Sequence, residues 1–284
     1  MQQKQDWDLV IKPKNKWNDL DLAALWRYRD LLMLLVRRDF VAVYKQTILG
    51  PLWLFIQPVL TSLTFTFIFG GLAKISTDGN PPILFYMAGI TLWTYFADCL
   101  TKTSNTFIAN AGVFGKVYFP RLIIPLSVLV SNLIKLGIQL LIFLIVWIYY
   151  LNSSIQTIHP QWQYMWLIPV LIFMMAGLGL GFGILISSLT TKYRDLTFLV
   201  GFGVQLMMYA SSIVLPISSM PPKVKAIMLF NPLTSIIEAF KFIFLGSGSF
   251  ESLWLVYGFG FMSILLAIAV IVFNKVEKSF MDTV

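Results

Sequence analysis

Within long apolar stretches of this sequence stand a few polar and charged residues whose spacing fixes where they can point. At about 100° of rotation per helical residue, Thr91, Tyr95, Asp98, Lys102 and Asn105 share one sector about 80° wide. Asp98 and Lys102 in that sector form an i, i+4 pair of opposite charge. Ser131, Asn132, Lys135 and Gln139 share a second sector, Phe198, Phe202, Gln205, Tyr209 and Ser212 a third, and Gln57, Thr61 and Thr64 a fourth. Side chains of this kind are costly in a membrane helix, so they face protein interior or water. A wettable, partly aromatic lining suits the passage of a bulky, hydroxyl-rich molecule such as a sugar chain. Aromatic faces lie under its C–H patches, while amides and hydroxyls bond its rim. The competing reading is that the same stripes bond helix to helix, each bond worth about 0.6 kcal/mol. Lys135 needs a partner at that depth, and pairing with Asp98 would supply one without any transport chemistry.

Other chemistries find little support. His159 is the single histidine and Cys99 the single cysteine, which leaves no imidazole pair for a metal and no disulfide within one chain. No glycine-rich phosphate loop is present, so energy from a nucleotide must come from a partner. A membrane-embedded transferase acting on lipid-linked sugars would want a paired acid and base. The sequence offers Asp98 and Glu238 for that work, with no histidine beside them. The run AGLGLGFG sets Gly177 and Gly181, and also Gly179 and Gly183, four apart in an apolar stretch, which predicts close helix packing rather than a nucleotide loop.

The elements that must hold these residues follow from composition. Of 284 residues 58% are apolar and 12% charged, with 24 Phe, 9 Trp and 11 Tyr. An ordinary soluble domain has roughly a quarter of its residues charged, so a soluble enzyme is a poor fit. A bilayer core needs about 20 apolar residues in helix. Uncharged runs of that order predict six spans: within 46–73, from Pro82 onward, 122–150, 164–189, 196–216 and 252–274. The polar segment 151–163 separates the third span from the fourth. Residues 218–246, which include MPPKVKAIMLFNPL and the apolar run after it, are too apolar for a loop and too broken for a span, and read as short re-entrant helices. The polar opening of the chain is too long for a signal peptide.

Charge sets the orientation. Lys and Arg from Lys4 to Lys45, with Lys116, Arg121, Lys192, Arg194, Lys275 and Lys278, fall on one side, against Lys74, Lys223, Lys225 and Lys241 on the other. This bias predicts both ends inside, and it accounts for the net charge of +8 without nucleic acid as a partner. Residues 19–47 read as a helix with Asn18 or Asp19 as its cap. Arg27, Arg38 and Lys45 fall within about 20° of one another, with Arg37 and Asp30 beside them. Arg29 and Asp39 break the pattern. The helix suits the cytoplasmic surface of the membrane, in contact with lipid. The alternative is a charged helix packed only on the body of its own chain.

The segments RYRDLLMLLVRRDFVAVYKQTILGPLWLFIQP (27–58), GKVYFPRLIIPLS (115–127), KYRD (192–195) and FNPL (230–233) resemble the membrane subunits of type-2 ABC exporters. Within that group the chain is most similar to permeases that export O-antigen, teichoic acid and capsular polysaccharide. The resemblance spans the whole chain, although Leu84–Phe85–Tyr86 and Thr91–Leu92–Trp93 vary the usual wording.

It implies an all-α, six-span protein of the bacterial inner membrane: one transmembrane domain over residues 1–284, with a cytoplasmic segment 1–48 carrying the interface helix and a transporter core from 49 to 284. It also implies a homodimer working with two copies of a separate ATPase, which binds ATP and Mg, while this chain carries no cofactor and no metal. The exported substrate would be a lipid-linked polysaccharide. Lys116, Val117, Tyr118, Phe119, Pro120 and Arg121 match the segment that couples to the ATPase. Arg27, Arg37, Arg38 and Lys45 fall on the interface helix. An exporter of small hydrophobic drugs shares the fold, but the PRLIIPLS and YRD wording favours the polysaccharide branch.

Overall fold

The computed structural model describes residues 22–45, 48–114, 119–153, 158–190, 193 and 195–280, and among them every regular element is helical. Two helices, α1 (Leu22–Arg27) and α2 (Arg29–Tyr44), lead to the first long one. That one begins with a 3-10 turn at Gly50–Leu52, continues as α3 (Trp53–Phe65) and ends in a π-helical stretch, Thr66–Leu72. Pro58 interrupts the hydrogen bonding of α3, and Ser62 Oγ donates to the Pro58 carbonyl at 2.8 Å.

Next come α4 (Pro82–Ser104), α5 (Thr106–Phe114), α6 (Ile123–Leu151) and α7 (Ile168–Thr190, entered through a 3-10 segment at Trp162–Leu167). The chain finishes with α8 (Leu196–Tyr209), α9 (Pro222–Leu229), α10 (Pro232–Leu245) and α11 (Ser252–Phe280). Proline at the first turn starts α4, α9 and α10, where its missing N–H costs nothing.

Among the described residues five helices are long and apolar enough to cross a bilayer: Gly50–Leu72, Pro82–Ser104, Ile123–Leu151, Trp162–Thr190 and Ser252–Val276. These coincide with five of the six expected spans. The segment expected to be re-entrant, 218–246, holds the pair α9 and α10, which meet at a bend of 101°.

The span expected over 196–216 is shorter than its hydropathy suggests. Helix α8 stops at Tyr209, fourteen residues from its start, or about 21 Å. Beyond it the backbone is claimed by other groups: Asn231 Nδ2 donates to the Ala210 carbonyl at 2.9 Å, and Lys241 donates to the Ser212 carbonyl. The helix expected over 19–47 is likewise broken at Tyr28, and its proposed caps at Asn18 and Asp19 lie outside the described residues.

Helix α7 is the centre of the molecule, packed on α4 along one side and on α11 along the other. The glycines expected to pack closely divide between those sides. Gly177 and Gly181 meet Met262 and Leu265 of α11, whereas Gly179 and Gly183 meet Cys99 and Thr103 of α4. A large aromatic and aliphatic cluster fills the space between α4, α6, α7 and α10. Within it Trp147 Nε1 donates to the Phe244 carbonyl at 2.8 Å and fixes α6 against α10.

Candidate functional site

The polar stripes of α4 and α6 face one another. Lys135 Nζ lies 2.8 Å from Asp98 Oδ2, and Lys102 Nζ donates to Asn132 Oδ1 at the same distance. Asn132 Nδ2 in turn approaches Cys99 Sγ at 3.7 Å, and Tyr95 is buried one turn further along α4. The Asp98 carboxylate is therefore taken by Lys135 across the helix pair, and Lys102, expected beside Asp98 on α4 itself, turns to an amide instead. Four of the expected residues, Tyr95, Asp98, Lys102 and Lys135, thus come together in one seam. Each charge there keeps a partner, which a cation or carboxylate at membrane depth requires.

The stripes of α3 and α8 do not meet other helices. Gln57 and Thr64 are exposed and Thr61 is half-buried. The two threonine hydroxyls donate to carbonyls of their own helix, at 2.9 and 2.8 Å. On α8, Phe198 is 84% exposed, Phe202 63% and Tyr209 52%, with Gln205 exposed among them. This leaves a row of three aromatic rings and an amide on the surface of a single chain. Ser212 does not belong to the row: it follows the end of α8 and is fully buried, so the stripe stops at Tyr209. Behind α8, which packs on α4 and α7, residues of these three helices line an apolar cavity of about 230 Å³.

A second polar cluster surrounds α10. Glu238 and Lys241, each 1% exposed, approach to 3.6 Å. Lys241 also donates to the Ser212 carbonyl and sits 3.6 Å from the centre of the Phe85 ring. Glu238 accepts from the Ser249 amide at 3.2 Å. Nearby, Asn80 donates to Ser247 Oγ, and Ser218 Oγ donates to Asp78 at 2.5 Å. Asn231 caps α10 by accepting from the Leu233 amide at 3.1 Å, while its own amide holds Ala210 and Ser211. The FNPL wording is therefore a helix cap that also fastens the end of α8. Sequence reasoning missed this cluster. The only signal was an i, i+3 pair of opposite charge inside an apolar run.

Near the loop that joins α5 to α6, Phe119 is buried against Leu35 of α2, Phe107 of α5, Ile184 of α7 and Phe273 of α11. Arg121 is buried as well, and Pro120 is half-buried. Lys116, Val117 and Tyr118 lie outside the described residues, as do Lys192 and Arg194 of the KYRD segment. On α1 and α2, Arg27, Arg37 and Arg38 are exposed, as is Lys45 just beyond, and large apolar side chains such as Trp26, Met33 and Leu34 are exposed with them. The opposite side of these helices packs Leu31, Leu32 and Leu35 on the Phe119 cluster.

The chain is 30% identical over 254 residues to an O-antigen export system permease protein RfbA of Klebsiella pneumoniae, covering 89% of this chain and 94% of that one. It is 26% identical over 225 residues to the RfbA protein of Myxococcus xanthus, 78% of this chain and 83% of the other. Identity to the polysialic acid transport protein KpsM of Escherichia coli is 25% over 195 residues, 67% and 71% of the two chains. Residues 30–245, from the start of α2 to the end of α10, match the ABC-2 type transporter family, and the chain belongs to that family.

Proposed function

We propose that this chain is the permease of an ATP-driven exporter that carries a lipid-linked polysaccharide, O-antigen or a similar surface glycan, across the bacterial inner membrane. Similarity over most of the chain to O-antigen permeases and to a polysialic acid transporter supports the substrate class. Two copies would form the pathway, driven by two copies of a separate ATPase that holds ATP and Mg. Both ends of each chain would lie in the cytoplasm, where the exposed Arg27, Arg37, Arg38 and Lys45 suit a helix at the membrane surface beside anionic lipid. Residues 116–121 would receive the ATPase stroke. Residues 1–48 would form the cytoplasmic segment and 49–284 the transporter core, as one transmembrane domain.

The bare face of α8 carries this reading. Phe198, Phe202 and Tyr209 stand on one side of a helix with Gln205 between them, and no other described element covers them. Successive ring faces hold a passing sugar weakly and repeatedly, as conduction through many sites requires. Gln57 and Thr64 on α3 offer a second polar face, and a second copy of the chain would close both into a tunnel. The test places cysteine at Gln57 and at Gln205 in a Cys99→Ala background. In the open, working exporter both react with a water-soluble thiol reagent. Export with both sites unreactive would refute the assignment.

A further inference from the structure

A cavity of about 540 Å³ opens at the end of the α4–α6 seam, walled by α2, α3, α5 and the two seam helices. Its size is that of a small-molecule site. Three cations reach it, and two are already neutralised: Arg38 holds Asp39 through Nε at 2.9 Å and Nη2 at 2.7 Å, and Lys135 holds Asp98. Among the described residues the third, Lys102, bonds the neutral Asn132 oxygen and no carboxylate, which leaves its charge and its other donors directed at the cavity.

Two hydroxyls of the wall have no hydrogen-bond partner among the described residues although both are buried: Thr106 Oγ1, on a residue 1% exposed, and Ser131 Oγ. A buried polar atom left unpaired costs about 1–3 kcal/mol, so a ligand that bonds both would recover that cost. One side of the cavity is apolar, formed by Phe40, Leu54 and Val128.

An ammonium with no carboxylate partner and two idle hydroxyls, set beside an apolar wall, complement a group that is anionic, rich in acceptor oxygens and joined to hydrocarbon. We propose that this cavity binds the phosphate of a membrane lipid, with Lys102 supplying the charge, Thr106 and Ser131 donating to phosphate oxygens, and Phe40, Leu54 and Val128 covering the first carbons of the tail. The chemistry is common to bulk phospholipids and to polyprenyl phosphates, and the site does not depend on which polymer is exported.

The test is native mass spectrometry of the full chain in neutral detergent with four probes: phosphatidylglycerol, a polyprenyl phosphate, diacylglycerol and inorganic phosphate. One phosphate-bearing lipid should be retained per chain under activation that strips diacylglycerol. Lys102→Gln should weaken that binding about tenfold or more, as loss of a charge-assisted bond implies, and Thr106→Val should weaken it several-fold. Lys102→Arg should preserve it, and an unchanged elution volume on size exclusion shows that each variant is folded. Tighter retention of the polyprenyl phosphate assigns the site to that lipid class, and equal retention of the two assigns it to phospholipids in general. Equal retention of diacylglycerol, saturation by millimolar inorganic phosphate alone, absence of any retained lipid, or binding unaffected by Lys102→Gln would each overturn the proposal.

Discussion

The two glycine pairs of α7 allow a quantitative test of how this bundle is held. Lipid is as apolar as the helices themselves, so association rests on close packing rather than on the hydrophobic effect. A Cβ added at Gly183 would sit 2.6 Å from Thr103 Cβ and 3.0 Å from the Leu100 carbonyl oxygen, and one at Gly179 would sit 2.8 Å from Cys99 Cβ and 3.1 Å from the Phe96 carbonyl oxygen. Optimal contact between carbons is about 3.5–4.0 Å. Because backbone oxygens of α4 stand in the way, no rotamer change relieves the overlap, and α4 and α7 would have to separate.

Overpacking of this kind costs about 1–3 kcal/mol, against a gain of up to about 1 kcal/mol from replacing a helical glycine by alanine. Gly183→Ala and Gly179→Ala should therefore lower stability on balance. Gly137 of α6 and Gly203 of α8 have no atom within 4 Å of the added Cβ, so Gly137→Ala and Gly203→Ala should be neutral or stabilising. The assay is the midpoint of heat-induced loss of the monodisperse peak in detergent, read by fluorescence-detected size exclusion. Equal midpoints for all four variants would refute the claim that α7 is clamped by contact at its glycines.

Lys241→Met should destabilise the chain by about 3–5 kcal/mol by leaving Glu238 charged and alone, whereas the double variant Glu238→Gln/Lys241→Met should recover much of the loss in the same thermal assay. Exchanging the seam charges as Asp98→Lys/Lys135→Asp should restore the expression that either single change lowers, and failure of the exchange to do so would argue against a direct pair. Phe119→Ala should cost about 3–5 kcal/mol because the ring lies in a packed cluster, so a variant of unchanged thermal midpoint would contradict the burial. Purified free of contaminants, this chain should hydrolyse no ATP until its ATPase partner is added; hydrolysis by the chain alone would sink that division of labour.

How much of this was readable from the sequence depends on what periodicity can express. Azimuth along a helix is local, so Asp98, Lys102, Asn132 and Lys135 could be placed on faces. Whether a face meets water or another stripe depends on the rotation of two helices about their axes, which spacing does not carry. The glycine pairs were legible because four-residue spacing of the smallest residue has one common use in an apolar helix.

The length of α8 was not, since hydropathy continues smoothly past Tyr209 while Asn231 and Lys241, far along the chain, take the Ala210 and Ser212 carbonyls that a helix running on to 216 would use. Phe119 shows a further limit. An aromatic residue in a short basic loop reads as a surface for a partner, yet here its ring enters the core of its own chain.

That burial bears on how a stroke delivered at residues 116–121 would travel. The Phe119 cluster draws together Leu35 of α2, Phe107 of α5, Ile123 and Ile124 of α6, Ile184 of α7, and Ala269 and Phe273 of α11. A displacement entering at this point is shared among five helices instead of bending one. At its centre α7 is held against α4 by contacts that leave no room for an added methyl group and against α11 by Met262 and Leu265, and packed interfaces of that kind shift as bodies. Helix α8 has the opposite character: short, bare on its aromatic face and backed by an apolar cavity. If the stroke moves the clamped body as a unit, the slack lies between that body and α8. The aromatic row proposed to line the route is thus carried on a short helix outside the clamped body.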